Sequence, residues 1–214
     1  MSSLAVFVDL DGTLVRFDRP YEALTAATLE AHLGASSPAL VDTYSEAFFA
    51  AFEALAPHPY RKGMEAVLDA SDATADPGAM VDTLRAEEHA ALTVDPSVPE
   101  ALATLREYGP VGVLTNGVYE WQRAKLDHVG LATVVDAVVA SYDAGAHKPA
   151  PAPFRRAEAV LPADDYLLIG DGDNDVEGAE AAGWRAVRHT DADPFWARPR
   201  QFGVRDERGV PSES

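Results

Sequence analysis

Residues 4–14 of the chain are Leu-Ala-Val-Phe-Val-Asp-Leu-Asp-Gly-Thr-Leu, and they indicate the fold class. Residues 4–10 form a short, mostly apolar and partly β-branched segment, which is followed by Asp-Gly. This pattern predicts a buried strand that ends in a turn. Asp9 and Asp11 are two residues apart, so their carboxylates project from the same side of the strand tip. Two carboxylates this close repel each other unless a cation or a shared proton relieves them. We therefore expect a chemical site here, and a solvated surface turn is the weaker alternative.

Similar short apolar segments recur later in the chain, with helical patterns between them. The predicted strands are 111–114, 134–140, 166–169 and 185–188, and the predicted helices are 99–108, 119–129, 153–160 and 175–182. Strands that alternate with helices are typical of βαβ units. The sequence thus predicts an α/β fold, a Rossmann-like parallel sheet flanked by helices. In such a sheet the ligand lies beyond the carboxyl ends of the strands.

One long segment breaks this alternation, because residues 17–93 show helical periodicity alone. A βα loop has about two to six residues, so this segment is predicted to be an inserted all-α domain. Its predicted helices are 21–33, 40–55, 61–70 and 77–92, and its aromatic residues Tyr44, Phe48, Phe49 and Phe52 are expected in its core. The predicted organisation is an α/β core of residues 1–16 and 94–190, a helical domain of residues 17–93, and a polar, irregular or frayed tail of residues 191–214.

The composition is strongly acidic. Aspartate and glutamate number 35 against 17 lysines and arginines, which gives a net charge of −18 over 214 residues. This charge repels nucleic acid and anionic membranes, so neither is expected as a partner. A salt-rich cytoplasm screens such self-repulsion, which indicates a halophilic source, with an ordinary acidic enzyme as the alternative.

The same composition bears on location. The absence of cysteine excludes disulfides and thiolate metal sites. No apolar run reaches the roughly 18 residues of a membrane span, and the first residues lack the basic lead of a secretory signal. A cytoplasmic location is expected, whereas the oligomeric state is not predictable from the sequence.

Polar motifs follow the predicted strands in a recognisable order, and they resemble those of the haloacid dehalogenase superfamily. In order they are Asp9-Leu-Asp11-Gly-Thr-Leu14, Thr115-Asn116-Gly117 after an apolar strand, His147-Lys148-Pro149, and Gly170-Asp171-Gly172-Asp173-Asn174-Asp175. The helical insertion after the first motif also resembles the cap domain of that family. Each motif is weak alone, but four in register over residues 4–189 are specific.

This resemblance implies a role for each matching residue. Asp9 corresponds to the nucleophile and Asp11 to the general acid/base. Thr115 and Lys148 are implied to stabilise the transferring phosphoryl group. Gly12 and Asn116 join them in the implied phosphate site.

The resemblance also implies a Mg²⁺ cofactor, because a hard cation prefers oxygen ligands. Its expected ligands are Asp9, Asp171 and the backbone carbonyl of Asp11. Asp175 either orients water or Lys148, or binds the metal directly. Asp173 is additional to the family pattern and is expected to be a solvated loop residue.

The implied function is hydrolysis of a phosphomonoester, a small phosphorylated metabolite, through an aspartyl-phosphate intermediate on Asp9. Asp11 disfavours dehalogenation, whose branch of the family lacks an acid at that position. A sugar phosphomutase and a catalytically idle domain that binds a phospholigand or a protein remain as alternatives. Arg16, Arg61 and Lys62 are candidates for binding a second anionic group of the substrate, with ordinary exposed cations as the alternative.

Overall fold

The computed structural model describes residues 3–71 and 73–202. Contacts divide the chain into two compact units, one comprising Met1–Val15 and Val94–Ser214 and the other comprising Arg16–Thr93. In chain order the strands are β1 (Leu4–Val8), β2 (Arg16–Phe17), β3 (Leu92–Thr93), β4 (Val111–Thr115), β5 (Ala137–Ala140), β6 (Asp165–Gly170) and β7 (Arg185–Arg188).

The helices occupy the segments between these strands, and two short 3-10 helices follow β7. They are α1 (Tyr21–Leu33), α2 (Pro38–Glu53), α3 (Pro59–Ser71), α4 (Pro77–Ala91), α5 (Val98–Leu105), α6 (Tyr119–His128), α7 (Ser141–Ala144), α8 (Pro151–Val160) and α9 (Asp173–Ala181), with 3-10 helices at Phe195–Ala197 and Pro199–Phe202. Within residues 3–71 and 73–202, no helix combines the length and the apolar character that crossing a membrane requires.

The first unit contains a five-stranded parallel sheet in the order β5-β4-β1-β6-β7, which confirms the predicted fold class. Strand β1 lies at the centre and all five of its residues are buried, as its continuous apolar sequence predicts. It ends at Val8, two residues before the predicted end. The chain turns there, because the carbonyl of Leu10 accepts hydrogen bonds from the amides of Leu14 and Val15.

The hydrophobic core on one face of this sheet is centred on Trp184. Its ring centroid lies 5.4 Å from that of Phe7 on β1, 5.3 Å from that of Phe154 and 4.7 Å from that of Tyr166. The indole Nε1 donates a hydrogen bond of 2.9 Å to Glu158, so its one polar atom is satisfied. This packing holds β1, and therefore the turn that follows it, against β6 and α8.

The second unit contains α1 to α4, close to the predicted helices. Helix α1 ends at Gly34, whose φ of 74° gives the left-handed cap that glycine adopts readily. Ser37 caps α2 by accepting a hydrogen bond from the Leu40 amide, with proline at the first helical position. The expectation that the aromatic cluster is core is correct for Tyr44 and Phe48 and wrong for Phe49, which is 57% exposed.

Two further sequence predictions are corrected. The segment 17–93 is not purely helical, since Phe17 and Leu92 are paired in a short antiparallel ladder of β2 and β3. Two-residue strands give no periodicity that a sequence pattern could reveal. The segment from residue 191 is not irregular throughout, because both 3-10 helices bury a phenylalanine, Phe195 at 1% and Phe202 at 7% exposure. Residues 203–214 of the predicted tail lie outside the described residues.

Candidate active site

The candidate site lies at the carboxyl edge of the parallel sheet, where β1, β4 and β6 end side by side. Asp9 follows β1, Thr115 ends β4, and Asp171 follows β6. The amide of Asp9 donates a hydrogen bond of 2.8 Å to the carbonyl of Ile169, which continues the ladder between β1 and β6. The backbone that carries Asp9 is therefore held by the sheet itself.

A buried lysine joins two buried carboxylates at this edge. Lys148 Nζ lies 2.7 Å from Asp9 Oδ1 and 2.5 Å from Asp175 Oδ1, and it donates a third hydrogen bond to the carbonyl of Leu114 at 2.8 Å. Lys148 and Asp175 are each 4% exposed and Asp9 is 7% exposed. Every ammonium proton has an acceptor, so the arrangement satisfies the condition under which charges are tolerated in a protein interior.

The electrostatics of this trio are dominated by burial. Burial raises the pKa of Asp9 from its ordinary value of 3.8 to about 7, while the charge of Lys148 opposes the shift and that of Asp175 adds to it. For Lys148, burial alone would lower the pKa, but the negative charges of Asp9 and Asp175 outweigh it and raise the pKa. One lysine thus leaves the two carboxylates incompletely compensated.

Three carboxylates at this edge could bind a cation. Asp9, Asp171 and Asp175 each offer an oxygen, and these oxygens lie within 4.8 Å of one another. An all-oxygen donor set suits a hard cation such as Mg²⁺, and the charge of such a cation would favour the ionised form of Asp9, which burial disfavours. Asp175 is already engaged at both oxygens, by Lys148 and by the amide of Gly172 at 3.1 Å.

Gly12, predicted to help bind phosphate, has a structural role beside Asp171. Its φ is 87°, and a Cβ at this position would lie 2.3 Å from Asp171 Oδ2. The hydroxyl of Thr13 donates a hydrogen bond of 3.2 Å to Asp171 Oδ1. Glycine is therefore required here so that the Asp171 carboxylate can approach the turn after β1.

Asn116 holds the backbone of Lys148. Its Oδ1 accepts a hydrogen bond of 2.8 Å from the Lys148 amide, and its Nδ2 donates to the Lys148 carbonyl at 3.2 Å. The side chain of Asn116 therefore positions the lysine, and its predicted part in phosphate binding stays a prediction. Thr115 is 1% exposed, at the end of β4.

Two residues of the site on α6 were not predicted from the sequence, Gln122 and Lys125. Lys125 Nζ lies 2.8 Å and 3.0 Å from the two carboxylate oxygens of Asp11. Gln122 Nε2 donates to Asp11 Oδ2 and to Thr115 Oγ1, both at 2.8 Å. The scarcity of lysine in the chain is a signal that could have drawn attention to Lys125, whereas no pattern in α6 marks Gln122.

The remaining predicted residues are Asp173 on α9 and three cations of the second unit. Asp173 is exposed as expected, but it is the first residue of α9 and not a loop residue. It accepts a hydrogen bond of 2.6 Å from Arg188, whose other nitrogen donates to the carbonyl of Asp171 at 2.7 Å. Arg16, Arg61 and Lys62 belong to the second unit. Arg61 is half exposed and pairs with Glu65 one turn along α3 at 2.8 Å.

Comparison with known protein families identifies the class of this protein. The model of the haloacid dehalogenase-like hydrolase family matches residues 4–183. That match covers most of the chain and includes all of the motifs at the edge of the sheet. The protein therefore belongs to the haloacid dehalogenase-like hydrolases, as the sequence motifs predicted.

Individual relatives are similar over part of their length. A phosphoglycolate phosphatase of Cereibacter sphaeroides is 35% identical over 107 residues, 50% of this chain and 49% of the relative. A phosphoserine phosphatase of Thermus thermophilus is 40% identical over 99 residues, 43% of this chain and 40% of the relative. The chain thus spans half or less of the length of these relatives. Among solved structures, a 2-haloacid dehalogenase of Pseudomonas syringae aligns with a TM-score of 0.68 and 25% identity, over 88% of this chain and 86% of that one.

The raised pKa of Asp9 predicts that its charge destabilises the metal-free fold. The pKa of Asp9 is higher in the folded state than in the unfolded state, so the free energy of unfolding falls as the pH rises from about 4 to about 7. The loss is about 1.4 kcal/mol for each pKa unit of difference between the two states. Above that range both states are ionised and the whole penalty is present. We expect Asp9→Asn to raise the melting temperature by several degrees at pH 8 without Mg²⁺, and this gain should shrink towards pH 4.

The control for this measurement is Glu180→Gln, which removes one exposed carboxylate of α9. It tests whether the loss of one negative charge is sufficient to raise the melting temperature. Thermal unfolding of the three proteins in EDTA at fixed KCl measures the difference. An Asp9→Asn protein that melts below the unchanged protein at pH 8 would contradict the account.

Proposed function

We propose that this protein is a cytoplasmic, Mg²⁺-dependent phosphomonoester hydrolase that acts on a small phosphorylated metabolite through an aspartyl phosphate on Asp9. The observation that carries this proposal is the buried Asp9–Lys148–Asp175 trio, with Asp171 beside it and Asp11 two residues beyond Asp9. A nucleophilic carboxylate, a fixed cation and an adjacent second carboxylate are the groups that a double displacement at phosphorus requires.

In the first displacement, an oxygen of Asp9 forms a bond to phosphorus and the bond from phosphorus to the ester oxygen breaks. Lys148, in hydrogen-bond contact with Asp9, places its positive charge where the transferring phosphoryl group passes. Thr115 donates its hydroxyl to a phosphoryl oxygen. The departing alkoxide takes a proton from Asp11, so the alcohol leaves neutral.

In the second displacement, water attacks the phosphorus of the aspartyl phosphate. Asp11, now ionised, accepts the proton of this water, and the bond between phosphorus and the Asp9 oxygen breaks. Inorganic phosphate is released and the Asp9 carboxylate is restored. The two steps together consume one water and return both aspartates to their starting protonation states.

The oxygen-rich edge of the sheet fits Mg²⁺, which would be held by Asp9, Asp171 and the backbone carbonyl of Asp11. When bound, the ion supplies positive charge that offsets the phosphate and the clustered carboxylates. Asp175 already contacts Lys148 and the amide of Gly172, which supports an orienting role for it. Arg188 binds the carbonyl of Asp171 and so supports the loop that carries this ligand.

The named relatives support phosphate esters as the substrate class. Two of them are phosphatases, of phosphoglycolate and of phosphoserine, and both of those substrates are small and carry a second charged group. The solved structure of a dehalogenase supports the fold, but Asp11 and the acidic cluster have no use in dehalogenation. A phosphomutase would use the same Asp9 and Asp11, and release of inorganic phosphate separates it from a phosphatase.

We predict that the protein releases inorganic phosphate from p-nitrophenyl phosphate in Mg²⁺ and that EDTA abolishes this activity. Asp9→Asn is expected to lower kcat by about three orders of magnitude or more, because the nucleophile is lost while the isosteric amide keeps the shape of the site. Running the assay at low and at molar KCl also tests the proposed halophilic origin, which predicts higher activity in molar salt. Release of phosphate by Asp9→Asn at the rate of the unchanged protein would refute the mechanism.

The substrate's second anionic group is proposed to meet Arg16, Arg61 or Lys62 of the helical unit, which would serve as the specificity domain. An Arg61→Ala, Lys62→Ala double variant should raise KM for phosphoglycolate and for other esters with a second charge, with little effect on p-nitrophenyl phosphate. Steady-state kinetics over a substrate panel measure this difference. An unchanged KM for every accepted ester would remove both residues from the proposal.

A further inference from the structure

Helix α6 presents two buried polar side chains to the turn after β1. Gln122 and Lys125 are three residues apart, so they lie on the same face of the helix. Gln122 is 2% exposed and Lys125 is 5% exposed. Burying an ammonium group is unfavourable unless a partner of opposite charge is in contact, and its partner here is Asp11.

The contacts leave Asp11 with little freedom. Lys125 Nζ binds both carboxylate oxygens, at 2.8 Å and 3.0 Å, and Gln122 Nε2 binds Oδ2 at 2.8 Å. The cation is buried, but the Asp11 side chain is 39% exposed. The pair therefore holds the carboxylate from the interior while its outer side remains accessible.

Gln122 also fixes the hydroxyl of Thr115. Nε2 donates to Thr115 Oγ1 at 2.8 Å, so the oxygen acts as an acceptor and its own proton is available for another group. The carbonyl of Asn116, at 3.5 Å, is too far to be a strong acceptor for that proton. One amide nitrogen thus sets the positions of the Asp11 carboxylate and the Thr115 hydroxyl relative to each other.

Gly117 supplies an independent sign that Gln122 is closely accommodated. A Cβ at Gly117 would lie 2.7 Å from Gln122 Cγ and 2.9 Å from Gln122 Nε2. Any larger residue would displace the amide from Asp11 and Thr115. The glycine of the Thr115-Asn116-Gly117 motif therefore makes room for Gln122.

We propose that Gln122 and Lys125 are positioning residues, which hold Asp11 for proton transfer to the leaving group and turn the Thr115 hydroxyl towards the phosphoryl group. This inference rests on the proposed phosphatase function. A positioning role of the pair of Lys125 and Asp11 differs from a purely structural role in one measurable respect. A positioning role for Asp11 matters in proportion to how much the leaving group needs a proton.

The experiment compares two leaving groups in the same enzyme preparation. p-Nitrophenolate can leave without taking up a proton, whereas the alkoxide of an alkyl phosphate needs a proton in order to leave. The ratio kcat/KM reports the steps up to departure of the alcohol, so it isolates the first displacement. The alkyl substrate is the alkyl phosphate that the unchanged protein hydrolyses fastest in a panel that includes phosphoglycolate.

Lys125→Met is expected to lower kcat/KM for the alkyl phosphate by about 100-fold, the lower range for a lost general acid, and for p-nitrophenyl phosphate by only a few-fold. The quotient of the two values does not depend on the fraction of folded enzyme. Lys125→Arg should restore most of the alkyl activity. Arg123→Ala, an exposed neighbour on α6 that pairs with Asp127, is the matched control and should leave both values unchanged.

Gln122→Leu is expected to lower kcat/KM for both esters, because Thr115 contacts the phosphoryl group whichever alcohol leaves, and to lower it further for the alkyl ester. If an active unchanged protein loses both activities equally in Lys125→Met, or loses neither, the positioning role is overturned while the phosphatase function stands. If the unchanged protein hydrolyses neither ester in Mg²⁺, the phosphatase function itself fails, and this inference fails with it.

Discussion

The site depends on one buried interaction, the contact of Lys148 with Asp9 and Asp175. The two carboxylates are almost fully removed from water, and without a cation between them one would have to take up a proton. Asn116 holds the backbone of this lysine, and the sheet holds the backbone of Asp9. The lysine therefore has a fixed position rather than the mobility of a surface side chain.

The site depends on local positive charge all the more because the chain as a whole is acidic. With a net charge of −18, the long-range field repels any phosphate ester, so attraction has to come from local cations. Two of the three lysines in the sequence, Lys125 and Lys148, lie at the edge of the sheet in contact with carboxylates of the site. The pKa of Asp9 is raised chiefly because its burial outweighs the charge of Lys148, so a divalent cation beside it would favour the ionised carboxylate.

The sequence predicted the parallel sheet and the residues at its edge because buried strands are continuous apolar runs and the chemistry lies where those runs end. It did not predict Gln122 and Lys125, since a polar residue on an amphipathic helix has the same pattern whether it faces water or a carboxylate. The sequence also did not predict the close approach of Asp171 to Gly12 or the hydrogen bonds of Asn116 to the backbone of Lys148. Both depend on contacts between segments that are far apart in the chain, which no local pattern contains.

The most direct test of a phosphoryl group carried by Asp9 uses Asp11→Asn with p-nitrophenyl phosphate in Mg²⁺. This leaving group needs no proton, so the first displacement proceeds, but the second lacks its base. The account predicts a burst of about one p-nitrophenolate per enzyme. It also predicts one added phosphoryl group on Asp9, found by mass spectrometry after acid quenching and digestion with pepsin. Steady p-nitrophenolate release with no burst and an unmodified Asp9, or a phosphoryl group on another residue, would contradict the account.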